Sequence, residues 1–339
     1  MNLKYILGLG ALLAGLVACS PETPKAYLSP VVPNEKVIED NTQVFDPKVD
    51  ILFVVDNSGS MEAHQTNLAR NVAQFTSTFT KSSALDYNIG IVTTEMPDMW
   101  GSPSRVCCGQ LVGSPRIVNK NTLGADQILA RNFLVGTNGS SSEASFDPVV
   151  AALSSPLLNG WNVGFLRPDA SLVVILMTDA EDQSTRTDAL GLYNFLLNLK
   201  HKDASKILAY GVLAPTNNPQ RCTRDEPFGS PLRIEKFLSM VQNNKNNIMS
   251  ICDPDYGSRL ATMAKDIVDK VGNIIYLSRP PDFSSIRVSY GSVDLPEDYH
   301  KGWSFDPKMN AILLGDQINW SSQPSGSRIK VFYNAAKFD

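Results

Sequence analysis

Apolar positions fall into two alternating patterns from Val49 onward. Ile51 to Val55 is an uninterrupted apolar run, the pattern of a strand buried on both faces. After it, Leu68, Val72, Phe75 and Phe79 recur at spacings of four, three and four, which puts them on one face of a helix. Tyr87, Ile89 and Ile91 alternate as a second strand, and Leu172 to Met177 is again wholly apolar. A helix marked by Leu192, Phe195, Leu196 and Leu199 leads to an Ile207 to Leu213 strand. Another, marked by Ile234, Phe237, Leu238 and Val241, leads to Ile248 to Ile251. Leu260, Met263, Ile267 and Val271 line the last helix. Strands separated by helices predict an α/β domain, doubly wound on a mostly parallel sheet, over residues 49–272.

Beyond residue 272 the helical period disappears. Ile274 to Leu277 is followed by alternation at Ile286, Val288 and Tyr290, at Trp303 and Phe305, at Ile312 and Leu314, and at Ile329, Val331 and Tyr333. Turn residues such as Tyr290-Gly291-Ser292 lie between these runs, so residues 273–339 predict a small antiparallel β domain of sandwich type. Trp303 and Tyr333 are expected in its core.

The chain before residue 49 has a different character. Met1 to Tyr5 carry one charge, at Lys4, and Ile6 to Ala18 are apolar or glycine, the two-part pattern of an export signal and too short to span a bilayer. The run ends in Leu16-Val17-Ala18-Cys19, which resembles a bacterial lipobox. That resemblance implies a signal peptide over 1–18, cleavage before Cys19, and lipidation of its thiol. Ser20 follows where an aspartate would imply inner-membrane retention, so a lipid anchor in the outer membrane is expected. Residues 19–48 contain five prolines among polar residues and read as a tether.

Charge narrows the partners. The chain has 30 basic and 34 acidic residues, and loss of the signal segment removes only Lys4, leaving a net charge of −5. With no basic stripe to neutralise phosphates, nucleic acid is not expected as a partner. Apart from Cys19, the cysteines are Cys107, Cys108, Cys222 and Cys252, an even set that in an oxidising compartment reads as disulfides. Neighbouring parallel strands at 207–213 and 248–251 would bring Cys222 within reach of Cys252. Cys107 and Cys108 are then left as a vicinal bridge or as two thiols.

Chemistry in such a sheet gathers at the carboxyl ends of its strands. The first strand ends in Asp56-Asn57-Ser58-Gly59-Ser60, and a later one in Met177-Thr178-Asp179-Ala180-Glu181-Asp182. Two carboxylates meeting at one edge repel, and a hard cation bound by oxygens relieves this. Hydroxyl ligands leave such a cation electron-poor and open to an outside anionic oxygen.

Asp-x-Ser-x-Ser after one apolar strand, with Thr-Asp after a later one, resembles the metal-ion-dependent adhesion site of von Willebrand factor A domains. The resemblance spans Val49 to Gly272. It implies direct metal ligation by Ser58 and Ser60, an Asp56 acting mainly through water, and Asp179 as the later aspartate. The family's threonine is replaced by serines in Gly136 to Glu143, of which Ser141 is the expected ligand. Mg²⁺ is the expected metal, with Mn²⁺ and Ca²⁺ as alternatives, and the partner is a protein offering an acidic side chain. Glu181 and Asp182 are expected to be solvated or to cap the helix that follows them. The loops from Glu95 to Gln110, with Met96, Met99 and Trp100, and from Ala214 to Pro231 are expected to flank the metal and select the partner.

No enzyme is expected. An aspartyl-phosphate nucleophile at Asp56 would need a second aspartate where Ser58 stands. Neither serine occupies a Gly-x-Ser-x-Gly elbow, and His64 is expected to be an exposed helix residue. Two other readings remain, a metal-independent scaffold subunit of an envelope assembly and a hydrolase.

Overall fold

The computed structural model describes residues 36–38, 42–81, 85–97, 107–216, 230–242, 247–315, 317–324 and 327–336. The expected signal segment and Cys19 lie outside these. The tether expected over 19–48 needs correction, because two strands form inside it, β1 (Lys36–Ile38) and β2 (Thr42–Phe45). They pair with each other and, through β2, with the last strand of the chain. Val44 and Phe45 are buried. The strand escapes a pattern search because it is four residues long and its partner lies at the far end of the sequence.

After Asp46 and Pro47, the chain enters the main sheet as β3 (Lys48–Val55). Then follow α1 (Glu62–Lys81), β4 (Asp86–Thr93), β5 (Val118–Asn119), α2 (Ala125–Asn132), α3 (Asp147–Ala152) and β6 (Ser171–Thr178). After these come α4 (Ala189–Leu199), β7 (Ile207–Leu213), α5 (Leu232–Gln242), β8 (Ile248–Ser250) and α6 (Tyr256–Gly272). The sheet order is β5-β4-β3-β6-β7-β8, with only β5 antiparallel. Alternate residues of β3 serve opposite layers, which explains its unbroken apolar run. Ile51, Phe53 and Val55 pack with α1, α2 and α6, while Leu52 and Val54 pack with α3, α4 and α5. The expected doubly wound α/β class is observed.

At the amino edge of this sheet, Asp50 is fully buried and accepts from Arg167 N (2.6 Å) and Nε (2.8 Å). Lys200 Nζ donates to the Arg167 carbonyl at 2.9 Å. Burial pushes the Asp50 carboxyl up to about 6 against the pull of Arg167, and the Lys200 ammonium down to about 8.

The chain leaves α6 directly into β9 (Ile274–Tyr276), followed by β10 (Arg287–Tyr290), β11 (Val293–Leu295), β12 (Trp303–Asp306), β13 (Ala311–Leu314) and β14 (Ile329–Phe332). Antiparallel sheets β1-β2-β14-β10-β11 and β12-β13-β9 share one core, in which Phe45, Val288 and Val331 meet Ile275, Trp303 and Ile312. The α/β domain is therefore inserted into a β module built from both ends of the chain. Both crossings occur at the amino edge of the sheet. β3 is eight residues long, so its carboxyl end stands about 25 Å from that junction.

Candidate metal centre

The carboxyl ends of β3 and β6 meet where the strand order turns back on itself, with β4 on one side of β3 and β6 on the other. Asp56 N donates to the Met177 carbonyl at 2.9 Å, the last rung of that ladder. Its carboxylate, fully buried, accepts from Ser58 N at 2.8 Å and from Thr178 Oγ1 at 2.6 Å. The Ser58 bond closes a short turn that delivers the chain into a 3-10 turn, Gly59–Met61, ahead of α1. Ser58 Oγ lies 3.1 Å from Ser60 Oγ, which in turn lies 3.1 Å from Asp179 Oδ1. The structure thus brings Asp56, Ser58, Ser60 and Asp179 together, as expected from the sequence.

Ser141 does not join them. It is exposed, and the residue of that loop that enters the site is Glu143, only 2% exposed. Glu143 faces the Ser58 hydroxyl and feels the charges of Asp56 and Asp179. Burial first, then Asp56, raises its carboxyl to about 8, and burial also raises that of Asp56. Ser141 lies five residues before Phe146, the first apolar position of the following helix, and carries the hydroxyl that the resemblance calls for, but the helix does not begin at Phe146. Helix α3 begins at Asp147, and the three preceding residues run as a bonded loop that turns Glu143 inward.

Residues that the motif does not name hold this loop. Gln65 Nε2 donates to both the Asp56 and Gly136 carbonyls at 2.8 Å. Gly139 N donates to the Asn57 carbonyl at 2.9 Å, and a Cβ on Gly139 would fall 2.5 Å from the Asn57 amide. Glu95, 5% exposed, accepts from Ser140 N at 2.8 Å. Asp182, expected to be solvated or to cap the helix that follows it, is 2% exposed. It accepts from Ser145 N (2.8 Å) and Ser184 Oγ (2.6 Å) and pairs with Arg233 at 3.2 Å. It therefore caps the helix before it in sequence, while Glu181 accepts from Arg233 N at the start of α5. His64, expected to be exposed, is 6% exposed, and burial holds its imidazole below the ordinary value.

Of the flanking loops, Cys107 and Cys108 form a vicinal disulfide, and Cys108 N donates to the Glu95 carbonyl at 2.8 Å. Met96 is half-buried, while Met99, Trp100 and residues 217–229 lie outside the described residues. Cys252 is disulfide-bonded, and its expected partner Cys222 also lies outside them.

The donor set fits a hard divalent cation. Three buried or nearly buried carboxylates converge, no base among the described residues offsets Asp56 or Glu143, and two hydroxyls lie between them. Among the described residues, no group of three His, Cys, Asp or Glu is placed to hold a metal ion, so a cation here would need the serine hydroxyls as well. No described helix is long and apolar enough to cross a membrane.

No family model and no curated protein matches the chain. Among solved structures, proximal thread matrix protein 1 from the mussel byssus is similar at 13% identity and a TM-score of 0.42. That match covers 70% of this chain and 51% of the other. Another structure of that protein, with a zinc-occupied MIDAS motif, is similar at 14% identity and a TM-score of 0.41, covering 70% and 50%. A von Willebrand factor type A protein from Catenulispora acidiphila is similar at 14% identity and a TM-score of 0.36, covering 87% and 60%. The chain spans about half the length of the mussel protein.

Proposed function

We propose that this chain is a lipid-anchored envelope protein that binds a protein partner through a divalent cation at the carboxyl edge of its α/β sheet. The observation that carries the reading is the convergence of Asp56, Asp179 and Glu143 on the Ser58 and Ser60 hydroxyls, with burial and no offsetting base at Asp56 or Glu143. Ser58, Ser60 and Glu143 would hold the cation, with Asp56 and Asp179 orienting the hydroxyls or ligating through water. When bound, the cation supplies a Lewis-acidic contact for an oxygen of the partner. Mg²⁺ suits this all-oxygen set, with Mn²⁺ and Ca²⁺ as alternatives.

Placement agrees with capture. The strand Thr42–Phe45 joins the β module, which meets the sheet at its amino edge, so the metal edge lies at the opposite end of β3 from the chain's entry into the sheet. Outer-membrane attachment and the absence of catalysis belong to the same proposal.

The test uses the full chain in its cells. Wild type crosslinked in Mg²⁺ should retain an envelope protein that is lost with chelator and in Asp56→Ala. Cys19→Ser should remain an unprocessed precursor. Equal retention in all three conditions would overturn metal-dependent capture, and normal processing of Cys19→Ser would overturn the anchor.

A further inference from the structure

We infer that Glu143 is a built-in carboxylate ligand, occupying the place at the cation that a partner's acidic side chain would otherwise take, so that the partner must displace it. This rests on the metal reading above and specifies how that site is regulated.

The loop that carries Glu143 is fixed on both sides. Before it, Gly139 N bonds the Asn57 carbonyl and Ser140 N bonds the Glu95 carboxylate. After it, Ala144 N donates to the Thr94 carbonyl at 3.2 Å and Ser145 N to Asp182. Gln183 N donates to the Glu143 carbonyl at 2.8 Å, and Gln183 Nε2 reaches its carboxylate at 3.4 Å. A long side chain at the surface would turn to water and keep its rotamer freedom. This one is held inward, 2% exposed, against the Ser58 hydroxyl.

Charge gives the consequence. A hydroxyl at this place would leave one dication facing two aspartates, a neutral centre that still attracts an anionic oxygen. With Glu143 the centre has three carboxylates and is already net negative, so a fourth carboxylate is repelled unless Glu143 withdraws. Ser141, Ser142 and Gln183 are exposed at the rim, which leaves the Glu143 loop within a partner's reach. Capture then requires rim contacts as well as an acid.

Mn²⁺ serves as the probe, with binding measured by calorimetry and exchangeable water on the bound ion by water-proton relaxation. Glu143→Gln keeps the size and the Gln183 contact, and Glu143→Thr installs a hydroxyl. Unfolding in EDTA verifies that both fold. Both variants should bind Mn²⁺ about tenfold more weakly or worse, since charge count tunes affinity in oxygen-ligand sites. Their bound ion should nevertheless relax water more strongly than in wild type, and acetate should reverse that gain in the variants while leaving wild type unchanged.

Equal affinity and equal relaxation in all three proteins would overturn the role of Glu143 while leaving the metal site standing. If wild type binds no more Mn²⁺ than Asp56→Ala, the metal reading fails and this inference falls with it.

Discussion

The Thr178 hydroxyl donates to Asp56 Oδ2 across 2.6 Å, joining the carboxyl ends of β6 and β3 by side chains where the backbone ladder stops. With Ser58 N on the other oxygen, it leaves Asp56 oriented by one donor on each oxygen. Thr178→Val keeps the shape and removes the donor. It should destabilise the metal-free protein by about 1 to 3 kcal/mol, the cost of leaving a buried acceptor unsatisfied. Urea unfolding in EDTA measures this, and an unchanged midpoint would mean that Asp56 finds another donor.

Metal binding should stabilise the fold by mass action. A cation that binds only the native state adds about 2.7 kcal/mol at a hundredfold excess over its dissociation constant. Mg²⁺ or Mn²⁺ should therefore raise the melting temperature of residues 20–339, and Asp56→Ala and Asp179→Ala should abolish the rise while remaining folded. Shifts of the same size in wild type and both variants would remove the site from these residues.

Asp50 makes a pH prediction at the opposite edge of the sheet. Its folded value, about 6, lies above the ordinary 3.8, so the native state holds a proton that the unfolded chain has released between those values. Its contribution is fully present below about 4 and is lost as pH rises through 6, a difference of about 3 kcal/mol. The stability of wild type minus that of Asp50→Asn should fall across this window. A flat difference would mean that Arg167 fully offsets the burial of Asp50.

The cysteines make a covalent prediction. Non-reducing peptide mapping of exported protein should find Cys107 joined to Cys108 and Cys222 joined to Cys252. The β7 and β8 strands are parallel neighbours, so their carboxyl ends lie side by side. Closing the loop between Cys222 and Cys252 should contribute about 3 to 4 kcal/mol in the chain-entropy view. A peptide joining Cys252 to Cys107 or Cys108 would contradict both pairs.

Sequence alone determined the α/β class, because a strand buried on both faces must be apolar throughout and a helix packed on one face must repeat at its own period. Ile51 to Val55 and Leu68 to Phe79 state those two conditions locally. The Asp56, Ser58 and Ser60 part of the centre was legible for the same reason, since one turn after one strand places all three. Tertiary structure decided what depends on distant chain segments. The strand Thr42–Phe45 has too few residues for a period and exists because β14 pairs with it. Asp182 looks like a solvated loop charge until the helix before it and Arg233 close over it. Glu143 reads as one more polar residue in a serine-rich loop. Only the bonds from Asn57, Thr94, Glu95 and Gln183, drawn from three separate stretches of chain, turn its carboxylate into the centre.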